Sequence, residues 1–208
     1  IAAGRGVNQL YNADPLINLD GWATSDTSTG VGTTIGKDFD TNTRIPGSGL
    51  IYWKLSNSGT ATNGTAFTIA NDGPSGLRYP VVAGKKYEAH ALMGQFRSGG
   101  VHCSIYFFNA SGTLTQAFHG SLVTNTTQFV RLNQLGLSSV FATAPANSVT
   151  ASIRFWCNCN GGSNPFGLVT RAYFGEAGTA QSEVSTWVPG PMPVNVAGVP
   201  TGCRRELR

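Results

Sequence analysis

Apolar and polar residues alternate with a period of two along several stretches of this chain, and no stretch of helical length repeats near 3.6. The clearest alternation lies between Pro80 and Asn109. In its first half Tyr87, Ala89 and Ala91 fall on one side, and Lys86, Glu88 and His90 on the other. In its second half Val101, Cys103, Ile105 and Phe107 oppose His102, Ser104, Tyr106 and Phe108. Successive Cβ atoms of a strand point to opposite faces, so both halves are predicted to be half-buried β-strands joined by a loop. One face is core. The other mixes imidazole, phenol and hydroxyl groups, and the functional question is what that face touches. His90 and His102 would then be cross-strand neighbours on it.

The same pattern predicts further strands. Val149, Ala151, Ile153, Phe155 and Cys157 face inward, while Thr150, Ser152, Arg154 and Trp156 face outward. Leu168, Thr170, Ala172 and Phe174 oppose Val169, Arg171 and Tyr173. Leu50–Leu55, Phe67–Ile69, Thr113–Phe118, Phe129–Leu132 and Leu137–Thr143 read as strands, with shorter ones at Val7–Tyr11 and near Val31–Ile35. Turn residues separate them, among them Asn12–Pro15, Ser56–Gly64, Asn71–Gly76, the hairpin Asn109-Ala-Ser-Gly112 and Asn158–Asn164. About ten short strands without crossover helices imply one all-β domain: an antiparallel β-sandwich over residues 1–188. Repeated Pro and Gly from Pro189 predict an extended tail or linker over 189–208.

Composition agrees with a turn-rich sandwich. Charged residues are only 12% of 208, about half the usual share, and there are 27 glycines. Net charge is +4, and three of the arginines lie in the last six residues. No dense Lys/Arg stripe of the kind that neutralises phosphates is present, so no nucleic-acid partner is expected. A mildly basic surface suits an anionic polysaccharide. No apolar run reaches the roughly 18 residues of a membrane helix, so no membrane insertion is expected. The opening Ile-Ala-Ala-Gly-Arg-Gly lacks the pattern of a signal peptide and an initiator Met, as in a processed chain or the ordered part of a longer one.

The four cysteines are Cys103, Cys157, Cys159 and Cys203. Cys157 and Cys159 share a strand face about 6.6 Å apart, near the outer limit for a bridge, and free core thiols are expected. Asn63, Asn109 and Asn125 head Asn-x-Ser/Thr triplets, which matter only in a eukaryotic secretory setting.

The ten acidic residues are scattered, with no pair placed as glycosidase carboxylates, no Gly-x-Ser-x-Gly elbow and no His-Glu-x-x-His. Gly30-x-Gly32-x-x-x-Gly36 lacks the Lys-Ser/Thr and helix of a phosphate cradle. Asp38-x-Asp40 with Asn42 lacks the spaced acidic partner of a calcium loop. His90, His102 and His119 suit hydrogen-bonding roles better than a metal site. No catalytic and no metal residue is therefore assigned. The outward set His90, His102, Tyr106, Arg154, Trp156, Arg171 and Tyr173 is different. Aromatic rings stack on the C–H faces of sugars, and planar polar groups meet their hydroxyls. Arg also pairs bidentately with a carboxylate. The competing role is a subunit interface, where Trp, Tyr and Arg are equally enriched.

Several motifs carry a resemblance. Asn8-x-Leu10 and Asn12, then Gly21-Trp22, resemble the opening of galactose-binding-like carbohydrate-binding modules. Val82-Ala-Gly84-Lys-x-Tyr87 resembles their strand opening, and Ile105-Tyr-Phe-Phe-Asn-Ala-Ser-Gly112 their aromatic hairpin. Phe141-x-x-Ala-Pro145 with Ala151-x-Ile153-x-Phe155 resembles the next strand pair. Gly175-Glu176-Ala-Gly178 with Ser185-Thr-Trp187-x-Pro189 resembles the closing segment of such domains in bacteriophage tail and fibre proteins.

The resemblance spans roughly residues 7–190 and implies a jelly-roll sandwich that binds glycan without catalysis. It also implies a place on a phage or phage-like particle, an extracellular virion. The partners would be bacterial surface polysaccharide, other virion subunits and further copies of the chain. Where calcium-bearing members carry paired acids this chain has Arg171, Ala172 and Tyr173, which speaks against a structural calcium; no other cofactor is expected. The alternative is a purely structural virion protein whose sandwich mediates subunit contacts. A third reading is an accessory module of a secreted glycoside hydrolase.

Overall fold

The long alternating stretch between Pro80 and Asn109 does not close as a hairpin. Its two strands arch from one sheet to the other and face each other across the core. The computed structural model describes residues 7–13, 19–24, 33–38, 50–55, 66–73, 76–96, 98–124, 135–159, 165–188 and 190. Within them the chain forms β1 (Trp22–Thr24), β2 (Thr33–Asp38), β3 (Leu50–Leu55), β4 (Ala66–Asn71), β5 (Tyr79–Pro80), β6 (Lys86–Phe96), β7 (Gly100–Phe108), β8 (Leu114–His119), β9 (Gly136–Thr143), β10 (Thr150–Asn158) and β11 (Phe166–Glu176). The first sheet runs β1-β4-β10-β7-β8, with β5 pairing the start of β10; the second runs β2-β3-β11-β6-β9. Every pairing is antiparallel. The fold is an antiparallel β-sandwich of jelly-roll type.

The inward faces of the four central strands make the core. Phe107 and Ile105 on β7 lie beside Ile153 and Phe155 on β10, all fully buried. Tyr87 on β6 packs against Phe107 at 6.2 Å and against Phe174 of β11 at 5.6 Å, which ties the sheets together. Trp22 stacks on Phe155 at 5.3 Å. Cys103 and Cys157 are buried free thiols and Cys159 is buried beside them in the core; burial pushes Cys103 up to about 12 and raises Cys157 as well.

Two bulges decide which side chains face outward. On β8 the register shifts between Phe107 and Phe108, so one extra residue, Thr115, enters the hairpin strand. Its hydroxyl donates to the Phe107 carbonyl at 3.0 Å. The shift turns Phe118 inward and places His119 opposite Ser104 on the outer face. On β11 the register shifts between Thr170 and Tyr173, with Arg171 at φ 49°. A bulge re-aims the side chains beyond it. The strict alternation expected along this strand is thereby broken: Val169 joins the core while Leu168 lies in a separate cluster with Leu135 and Phe166.

Two other expectations are corrected. Val7–Tyr11 is not a strand. It is an irregular segment pinned by Asn8, whose Oδ1 accepts from the Phe174 and Leu10 amides and whose Nδ2 donates to the Ala172 and Val188 carbonyls. Val149 is 41% exposed, because β10 begins one residue later, where β5 and β7 pair with it. Residues 178–188 lie over the outer face of the second sheet, where Gln181 Nε2 and the Ser185 amide donate to the Glu88 carboxylate at 2.6 and 3.0 Å. Trp187 Nε1 donates to the Ala172 carbonyl at 3.0 Å. Phe129–Leu132, the Gly30–Gly32 stretch, Asp40, Asn42, Asn63, Asn125, Cys203 and the tail over 191–208 lie outside the described residues.

Truncating Phe155 to Ala leaves a hole at the centre of the sandwich, and the expected cost is about 3–5 kcal/mol. Chemical denaturation of the variant measures it. An unchanged unfolding midpoint would mean that the β7–β10 register is wrong.

Candidate functional site

The outer face of the first sheet carries large rings and cations over small residues. Thr68 and Ala70 on β4, Ser104 on β7 and Ser152 on β10 are all buried, although they point away from the core. The long side chains around them lie across the sheet and cover them.

Trp156 stands opposite His102 across the β7–β10 ladder, ring centroids 6.0 Å apart and planes within 3°. Tyr106 follows, 6.3 Å from Trp156 at 17°. His119 sets its edge against Trp156 at 5.9 Å and against His102 at 5.3 Å. Its Nδ1 shares a 2.9 Å hydrogen bond with Ser104 Oγ. The next residue, Gly120, fixes that position: its amide donates to the Cys103 carbonyl at 2.8 Å, and a Cβ would meet the Ser139 carbonyl at 2.8 Å.

Arg154 lies 4.4 Å over the Tyr106 ring and Arg78 3.5 Å over Phe108. Tyr106 is only 8% exposed and Phe108 5%, so these rings serve as beds for guanidinium groups rather than open platforms. Trp156, His102 and Arg154 are half-buried and His119 is exposed. They form the accessible surface. Burial holds His102 down to about 4, with the neighbouring His119 adding to the effect, so His102 is neutral at pH 7. Burial raises the Tyr106 phenol, against the Arg154 cation and the Trp156 indole, which lower it. That indole lies close enough to act on the phenol, yet its Nε1 makes no well-formed hydrogen bond.

The structure separates the seven residues singled out from the sequence. His102, Tyr106, Arg154 and Trp156 come together. His90, Tyr173 and Arg171 belong to the other sheet, so His90 and His102 are not cross-strand neighbours. His90 stacks on Tyr173 at 4.8 Å, beneath residues 178–188, and both are buried. Arg171 sits at the β11 bulge, 5.8 Å from the Trp187 ring. Burial holds His90 down to about 4 and raises Glu88. Alternation alone missed His119, which the β8 bulge turns outward, and Arg78, which a loop delivers. Among the described residues no three potential ligands gather as a metal site.

This architecture has counterparts among known proteins. No family model and no curated protein matches the sequence. Solved structures match the fold. One is the enzymatically active domain of bacteriophage CBA120 tailspike protein 4, at 15% identity and TM-score 0.53 over 82% of this chain and 21% of that one. Another is an arabinose-bound α-L-arabinofuranosidase, at 12% identity and TM-score 0.58 over 85% and 27%. A third is a xylan-binding domain of carbohydrate-binding module family 22, at 12% identity and TM-score 0.50 over 86% and 99%. The chain thus spans under a third of the tailspike and arabinofuranosidase chains, and almost all of the xylan-binding domain. At these identities the likeness is one of fold.

The histidines make stability pH-dependent. A depressed histidine pKa stabilises the fold fully above the unfolded value near 6.5, and that contribution is lost as pH falls toward about 4. Glu88, raised by burial, acts in the opposite sense, one carboxyl against two histidines. The expected thermal midpoint drops by roughly 5 °C or more between pH 7 and 4.5. His102→Gln should lessen that drop in a calorimetric pH series; an equal drop in the variant would remove His102 as a cause.

Proposed function

We propose that this chain is a non-catalytic glycan-binding domain, carried on a phage or phage-like particle, that attaches to bacterial surface polysaccharide. The observation that carries the reading is the half-buried Trp156 ring set parallel to His102 on the two central strands, with Arg154 beside it. Such a plate offers a stacking surface for sugar C–H faces, flanked by groups that hydrogen-bond hydroxyls. It lies on rigid paired strands, so little ordering cost accompanies binding. The fold neighbours support the reading: one is named a xylan-binding domain and another a phage tailspike. The first supports the binding of polysaccharide, and the second supports a place on an extracellular particle.

The rings and cations named on this face include no carboxylate, and so no glycosidase pair of carboxyl groups, which suits binding rather than glycoside cleavage. Prolonged incubation of the pure chain with the polysaccharide it binds should release no reducing ends. Their appearance, and their loss on mutating an acidic residue, would make the domain an enzyme.

A glycan array with the isolated domain finds the ligand. Trp156→Ala should then weaken binding about tenfold while the domain stays folded, since a stacked ring contributes on the order of 1 kcal/mol. The alternative, a structural virion protein that uses this face between subunits, predicts that the same variant loses oligomers or particle incorporation and keeps its glycan binding. Size-exclusion chromatography with light scattering, run beside the binding assay, separates the two. Intact oligomers with undiminished binding would exclude Trp156 from both roles.

A further inference from the structure

We infer that the glycan taken by this face is anionic, and that Arg154 and Arg78 seat its acidic groups; the inference rests on the glycan-binding reading above. Tyr106 and Phe108, the rings under the two guanidinium groups, are two residues apart on β7 and share its outer face, about 6.6 Å from one another along the strand. The two guanidinium groups therefore rest on neighbouring rings of one strand face. Among the described residues neither guanidinium has an ion pair or hydrogen-bond acceptor: the ring beneath is the partner of each, and the Lys85–Glu176 ion pair lies elsewhere. Arg154 Nε is shielded from water and unpaired.

Half-buried cations without counter-ions are unfavourable in the free protein, and an arriving oxyanion relieves that cost. Arg78 adds a second sign. Its backbone is left-handed at φ 56°, a conformation that costs an L side chain energy and clusters at ligand sites. A guanidinium resting on a ring keeps its in-plane N–H groups for bidentate pairing with a carboxylate or a sulfate. A neutral sugar needs neither cation. Trp156, 6.3 Å from Tyr106, supplies the stacking surface next to the charged seats.

Uronate carboxylates and sulfate esters share this chemistry, so the test uses both. Binding to polygalacturonate and to dextran sulfate is measured by titration calorimetry, beside carboxyl-reduced polygalacturonate and plain dextran. At least one acidic polymer should bind tenfold or more tighter than its neutral partner, and the excess should shrink as salt rises. Arg154→Gln and Arg78→Gln should each remove most of the excess, and circular dichroism with a thermal melt of each variant checks that it folds. Arg154→Lys, which keeps the charge and loses the fork, should fall between. Equal binding of acidic and neutral polymers overturns the inference while the glycan-binding reading stands. Failure of all four polymers to bind overturns it too, and the array then decides the wider reading alone. Single-stranded DNA bound as tightly as the acidic glycan at the same salt would mark an unspecific polyanion patch and also overturn it.

Discussion

Nine consecutive residue pairs join β7 to β10, from Thr150 opposite Phe108 to Asn158 opposite Gly100, without a break in register. Everything else is arranged around that ladder. Because side chains alternate, the pairing that buries Phe107, Ile105, Ile153 and Phe155 necessarily sets Tyr106, His102, Arg154 and Trp156 on the opposite side. Core and surface plate are two faces of one decision. A slip of one residue would place the arginine and the indole in the core and the phenylalanines in water. The large cost of that slip holds the rings where they are, without any network of polar bonds to position them.

That coupling explains what could be read from the sequence. On β7 and β10 alternation predicted both faces, because each strand is long and paired on both sides. The prediction failed where the ladder has an extra residue. Counting back from the Asn109–Gly112 turn would set Phe118 outward and His119 inward; Thr115 reverses both. The β11 bulge likewise exchanged Leu168 and Val169. A bulge is one residue long and carries no composition of its own, so periodicity passes over it. Sheet membership was hidden for a related reason. Two alternating strands joined by a short loop look alike whether they pair or arch, and here Ser98 folds back onto the Gln95 side chain, its amide and hydroxyl both donating to Oε1 at 3.0 Å, as the chain crosses between sheets.

The two outer faces show how differently polar residues on a sheet can be used. Glu88, His90 and Tyr173 resemble the set on the first sheet by composition, yet they are sealed under residues 178–188. The Glu88 carboxylate takes hydrogen bonds from Gln181 and Ser185 there. No local pattern in β6 announces that cover, because the covering residues lie some ninety positions later. Long-range burial of this kind turns a plausible binding face into an internal polar layer. It leaves the first sheet as the side on which half-buried rings still reach solvent.

The first and last described residues meet at β11. Gln9 donates to the Phe174 carbonyl at 2.7 Å, and Asn8 holds the Val188 carbonyl at 2.8 Å. Residues 8–9 and 188 therefore lie against the sheet behind the aromatic plate. A support that engaged this rear side would leave the plate facing outward. Several copies fixed to a common support by that rear side would turn their plates toward the same target. Weak single contacts would then add up through effective concentration to a long-lived attachment, with no need for a tight individual site.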